Sequence, residues 1–110
     1  MPSARIPMLL ELIAADPADL LAHLMLGNEY LADERFAEAA RHLGVYCRTF
    51  DGDKGAACLS LARALEASGD LAGAREALHL GHASASAFRH RALLENLDAE
   101  SARLREVAGA

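Results

Sequence analysis

Tryptophan is absent from this chain of 110 residues, aromatics amount to three Phe and two Tyr, and there are only two Cys, three Pro and one Lys, Lys54. Each shortage excludes something. Two cysteines, Cys47 and Cys58, cannot build a disulfide framework and suit reduced, buried thiols in a cytosolic protein. Three prolines leave long uninterrupted stretches, and with alanine and leucine in excess the composition favours an all-helical domain. No run of about 18 apolar residues exists to cross a bilayer. The start, MPSARIPMLLELIAADP, has one basic residue and an apolar stretch broken by Glu11 and Asp16. It fails as a signal peptide, so a cytoplasmic location is expected. Positive charge is also scarce, with 11 Lys and Arg against 16 Asp and Glu and a net charge of −5. That balance gives no footprint for nucleic acid or an anionic membrane, and neither is expected as a partner.

Signals for chemistry are equally sparse. The serines, histidines and aspartates form no nucleophile motif, and there is no glycine-rich phosphate loop. The expectation is a protein that is not an enzyme and carries no cofactor. His79 and His82 stand three apart and could share a helix face near the two Cys, but zinc sites declare themselves with tighter, repeated Cys or His pairs. They are read as surface or packing histidines, with no metal expected. Arg89, His90 and Arg91 make a small cationic spot, read as a solvated face.

What the chain does have is periodicity. Ile6, Leu9, Leu10, Leu12 and Ile13 mark a short amphipathic helix that ends at Asp16-Pro17, and Asp16 is expected to cap the next helix with Pro17 in its first turn. Leu20, Leu21, Leu24, Met25, Leu31 and Ala32 then continue an apolar surface until Asp33, Glu34 and Arg35. Phe36, Ala39, Ala40, Leu43 and Tyr46 restart the period before the turn signal Asp51-Gly52-Asp53. A second unit carries Cys58, Leu61, Ala62 and Leu65, turns at Ser68-Gly69-Asp70, and resumes with Leu71, Ala74 and Leu78. Gly69 suits a left-handed helix terminus and Asp70 a cap. Phe88, Ala92, Leu93, Leu97, Leu104 and Val107 form a last helical pattern, in which Asp98 could cap a break, so one long helix or two shorter ones both fit.

The two units repeat one pattern. Leu26, Tyr30, Phe36, Ala39 and Leu43 are each answered 35 positions later, by Leu61, Leu65, Leu71, Ala74 and Leu78. With Leu26-Gly27, Tyr30, Ala39 and Leu43 in one copy and Leu61-Ala62, Leu65, Gly69-Asp70-Leu71, Ala74 and Leu78 in the other, the chain resembles the tetratricopeptide repeat family. It departs from that pattern at His23 and Cys58, where the family often has Trp, at Tyr46 and Gly81, where it has Ala, and in lacking the closing Pro of both full units. The resemblance implies a short right-handed α-solenoid of antiparallel helix hairpins within a single domain, residues 1–110: a half repeat at 6–15, repeats at 20–53 and 55–86, and a capping helix or helices at 87–108. Gly27 and Ala62 would allow close helix approach, with Ala39 and Ala74 filling each hairpin.

By the same resemblance, first helices line a concave groove for a peptide or a partner's helix. The implied groove positions are Leu21, Leu24, Asn28, Leu31 and Ala32, then Ala56, Leu59, Arg63, Glu66 and Ala67. Asn28 and Arg63 would be the polar anchors, one for a peptide backbone and one for a carboxylate, and Leu24 and Leu59 the apolar floor. Arg63 and Glu66 could instead pair with each other on a solvated face. The family's branch that clamps chaperone carboxylate tails is matched only at Asn28, since Leu24 and Ser60 replace its Lys and second Asn. The function implied is a non-catalytic adaptor or scaffold for a protein or peptide of unknown identity. The alternative is a homodimeric structural subunit that assembles through its terminal helices, with Phe88 and Leu104 as the residues to test.

Overall fold

In the computed structural model, which describes residues 4–109, six helices follow one another with no strand among the described residues. They are α1 (Arg5–Ala15), α2 (Leu20–Ala32), α3 (Phe36–Thr49), α4 (Gly55–Ala67), α5 (Leu71–Ala87) and α6 (Arg91–Gly109). Met1, Pro2, Ser3 and Ala110, the outermost parts of the expected 1–110 domain and of the segment read against a signal peptide, lie outside the described residues. Connections of three to five residues make each helix fold back on the one before, and each packs chiefly on its neighbours in sequence. Besides these sequential contacts, α2 meets α4 and α4 meets α6, whereas α1, α3 and α5 do not meet one another among the described residues. The helices thus form two rows, closed on the α2, α4, α6 side and splayed on the other.

The apolar periodicity is what stacks the rows. Leu26, Leu43, Leu61, Leu78, Leu97 and Leu104 are buried, and Ala39 and Ala74 are fully enclosed. A Cβ on Gly27 would stand 2.6 Å from Leu43 Cγ and 3.1 Å from the Leu43 backbone nitrogen, so α2 and α3 reach this spacing because position 27 has no side chain. Gly81 plays the same part between α5 and α4, where a Cβ would come 2.8 Å from Cys58 Cβ. Cys47 and Cys58 are free, fully buried thiols packed together across α3 and α4. A hydrogen bond from one to the other, with burial, holds the Cys47 thiol well above its ordinary range.

Three helices end in one kind of turn. After α2, α4 and α5, the residues Glu34, Gly69 and Arg89 take positive φ of 58°, 89° and 58°. The next amide reaches back across the turn in each, Arg35 to Tyr30 O at 2.9 Å, Asp70 to Leu65 O at 2.8 Å and His90 to Ala85 O at 2.9 Å. Asp70 then caps α5, its Oδ1 accepting from Gly73 N at 2.8 Å. Glu34 occupies in the first unit the position of Gly69 in the second, without glycine's freedom.

Several sequence expectations shift. The cap of α2 is Asp19, whose Oδ1 accepts from Ala22 N at 3.1 Å, and not Asp16, which instead accepts from Ala18 N and closes the turn after α1. The Asp16-Pro17-Ala18 turn leaves Pro17 O pointing at His23 Nε2, 2.9 Å away, a bond the shorter connection would forfeit. Phe88 is the C-cap of α5, just past Ala87, and not part of the last helix, and it is about half exposed. The last element is one helix through Asp98, whose carboxylate meets His82 Nε2 at 3.2 Å in place of a capping role.

One polar pair is enclosed between α2 and α3. His23 Nδ1 and His42 Nδ1 are 3.0 Å apart, the rings stack with centroids 5.2 Å apart, and Tyr30 stacks on the far side of His42 at 5.8 Å. His23, in the position where the repeat pattern often has Trp, donates from Nε2 to Pro17 O, so its Nδ1 is the acceptor and His42 Nδ1 the donor. His42 Nε2 is left as a lone-pair nitrogen, buried and without a partner among the described residues.

Candidate interaction cleft

Where α2 and α4 run side by side, a shallow cleft opens on the closed row. Leu24 and Asn28 line it from α2, Ala56, Ala57 and Ser60 from α4, with Tyr46 from α3 and Asp53 from the loop before α4. Leu24 and Asn28 sit four apart on one helix, as do Ala56 and Ser60 on the other, so each helix presents a stripe to the cleft. Leu24 is half-buried and packs against the core, Asn28 is exposed, and the small Ala56 and Ala57 keep the floor low. Neither Asn28 nor Ser60 spends its side chain on another described residue. The Tyr46 ring is braced by stacking on Phe50 at 5.0 Å, and burial pushes its hydroxyl above the usual range, so it stays a neutral donor. Asp53 Oδ2 lies 3.1 Å from His90 Nε2, which ties the α4 entry loop to the start of α6. The cleft therefore offers an amide, two hydroxyls and a carboxylate above an apolar floor.

Of the residues named from sequence, the structure brings Leu24, Asn28 and Ala56 together in this cleft and places the others apart from it. Leu59 is only 8% exposed and belongs to the core, so it is not an open floor. Leu31 is half-buried against the same core. Arg63 is exposed on α4 beyond the cleft lining, without an ion pair among the described residues. Glu66 pairs with neither Arg63 nor solvent alone. Arg103 of α6 grips it through two hydrogen bonds of 2.8 and 2.5 Å and also holds Glu100, which draws the Glu66 carboxyl below its ordinary range. Here α6 comes alongside α4 and takes over the face that a free Glu66 would have offered.

Sequence reasoning did not place Tyr46 or Asp53 at this site, and it reached Ser60 only as the residue standing where the chaperone-tail clamp has its second Asn. Tyr46 carried a usable signal, an aromatic standing where the repeat pattern has Ala, since a ring too large for the hairpin interior must emerge somewhere. Asp53 read only as turn chemistry, and its position depends on how the α3–α4 loop folds back. Away from the cleft, the cationic spot is partly engaged through His90, and His82 is held by Asp98. Among the described residues no group of three or more His, Cys, Asp or Glu side chains converges. No helix among them is long and apolar enough to cross a membrane.

No protein-family profile matches the chain, and no curated protein matches it. Its fold is similar to the solution structure of protein BPP2914 from Bordetella parapertussis, a structural-genomics target. The TM-score is 0.73 and the sequences are 29% identical, with 94% of this chain and 90% of that one covered.

Proposed function

We propose that the protein is a non-catalytic interaction module of tetratricopeptide type, a short α-solenoid that holds an extended peptide or a partner's helix along the α2, α4, α6 row. The observation that carries this reading is the α2–α4 cleft, where the side chains of Asn28 and Ser60 are left without partners among the described residues, beside Leu24 and Ala56. Unspent donors and acceptors over an apolar floor are what backbone recognition requires, because a peptide brings its own N–H and C=O groups to be paired. The two-row stack, closed on the cleft side, supports the solenoid assignment, and so does the 35-residue register of the two hairpins. The likeness to BPP2914 supports the helix arrangement without adding a ligand.

The chemistry of the cleft also selects. Asp53 is the charged group in the lining, so the ligand favoured is neutral or basic next to it, and Arg63 lies outside that lining. In this reading the protein is a cytoplasmic adaptor, its partner a protein, and neither nucleic acid nor a membrane surface takes part.

A random peptide library panned on the purified protein tests the proposal. Selected peptides should shift the NMR amide signals of Leu24, Asn28, Ala56 and Ser60. The Asn28→Ala/Ser60→Ala protein should bind them at least about tenfold more weakly, the order expected for two lost hydrogen bonds, with helicity unchanged. Undiminished affinity in that variant, or shifts confined to α5 and α6, would refute the cleft assignment.

A further inference from the structure

The two ends of the stack differ in chemistry. At the C-terminal end, Arg75, His79 and His82 of α5 face Asp98, Ser101 and Arg105 of α6, a charged and polar surface of the kind that terminates a repeat array. The N-terminal end is apolar. Met8 and Leu12 on α1 and Leu21 and Met25 on α2 are 49%, 45%, 62% and 36% exposed. Within each helix the pair is four residues apart, one turn along a single stripe. Arg5 Nη1 lies 3.5 Å from Glu29 Oε1, which sets the start of α1 against the end of α2 on this flank. From there the antiparallel run places Met8 and Leu12 alongside Met25 and Leu21. The result is one continuous apolar strip in the place that a helix preceding α1 would fill.

We infer that this strip is the interface of a two-fold homodimer, α1 and α2 of one copy lying against α1 and α2 of a second. Its size fits. The four side chains leave about 400 Å² of apolar surface exposed, within the range of the largest patch on a monomer, which is often a functional surface. At about 60% apolar, the interface would cover roughly 650 Å² per copy, the lower end of the standard class. Charge fits as well. The α1 segment is basic at Arg5 and acidic at Glu11 and Asp16, so antiparallel pairing of two α1 helices brings each Arg5 toward the acidic end of the second copy, as a self-complementary contact requires. Head-to-tail stacking would instead set Arg75 and Arg105 against methionine and leucine, burying charge without partners. The end bearing Phe88 is not the interface, and Leu104, 2% exposed, belongs to the core.

Light scattering over a concentration series tests the inference. The native protein should rise toward twice the 11.7 kDa chain mass. The Met8→Glu/Leu12→Glu protein should stay at the single-chain mass at concentrations about tenfold above the native midpoint, as expected when two contact residues become charged. Phe88→Glu should leave the dimer intact. Independently of whether the charged variant folds, a Leu12→Cys protein oxidised in air should yield one covalent dimer, because Cys47 and Cys58 are buried and do not compete. A native protein that is monomeric to about 1 mM, millimolar association being too weak for an interface of this class, would overturn the inference and leave the strip to a different partner. So would dissociation by Phe88→Glu, or a Leu12→Cys protein that does not cross-link.

Discussion

Acidification should weaken the α2–α3 hairpin through one nitrogen. In the folded chain His42 Nδ1 donates to His23, and Nε2 is buried with no partner, so protonating it would create a charged N–H with nothing to accept it. Burial accordingly lowers the His42 pKa below 6.5, with the charge of Arg41 and the neighbouring His23 acting in the same direction and Glu38 against. The unfolded chain takes up a proton near pH 6.5, where the folded chain does not. Stability is therefore fully present above that pH and falls as pH drops below it. Once the unfolded histidine is charged and the folded one is not, the slope approaches about 1.4 kcal/mol per pH unit. Between about pH 6.5 and 5.5 the loss should be at most about 1 kcal/mol, at most about 4–8 °C in Tm for a domain of this size. Urea unfolding followed by helical circular dichroism at both pH values measures it. The His23→Leu/His42→Phe protein removes both partners of the bond and the orphan nitrogen together, and Pro17 is exposed enough for its carbonyl to take water. Its pH dependence should be smaller by that amount. The same fall on acidification in the two proteins would refute the reasoning.

Other perturbations follow from single contacts. Gly27→Ala places a methyl against Leu43 Cγ and backbone nitrogen and should cost about 1–3 kcal/mol in urea unfolding, while the reverse change, Ala37→Gly at an exposed helix position, should cost only about 0.5–1. Glu34→Gly relieves a left-handed backbone at an exposed position and should raise stability by about 0.5–1 kcal/mol; a lower Tm would show that the turn is not strained. Arg103→Ala should return the Glu66 carboxyl toward its ordinary titration range in NMR, and an unchanged titration would mean that the α4–α6 bridge is not formed in solution.

Much of the helical layout is readable from residue spacing. The stripes through Leu26, Leu43, Leu61 and Leu78 are buried as their period requires, because an amphipathic helix has one way to hide its apolar face. Gly69 and Asp70 were equally legible, since left-handed backbone and capping are local chemistry. Legibility failed where the outcome depends on distance along the chain. Leu12 and Leu59 are both leucines on amphipathic helices, yet one is exposed and the other buried, because α4 packs on α2, α3, α5 and α6 whereas α1 packs on α2 alone among the described residues. Glu66 looked like a groove residue until Arg103, 37 positions away, arrived beside it.

The candidate cleft divides in the same way. Leu24, Asn28 and Ala56 share it because helical period and the repeat register already place them on facing stripes, and both are properties of the linear chain. Ser60 follows Ala56 by one turn on the same stripe, whereas Tyr46 and Asp53 join through the packing of α3 on α4 and the path of the loop between, which no local preference encodes. Spacing along the chain decides which residues lie on one helix face; which face meets solvent, a neighbour or a distant arginine follows from the order in which the helices stack.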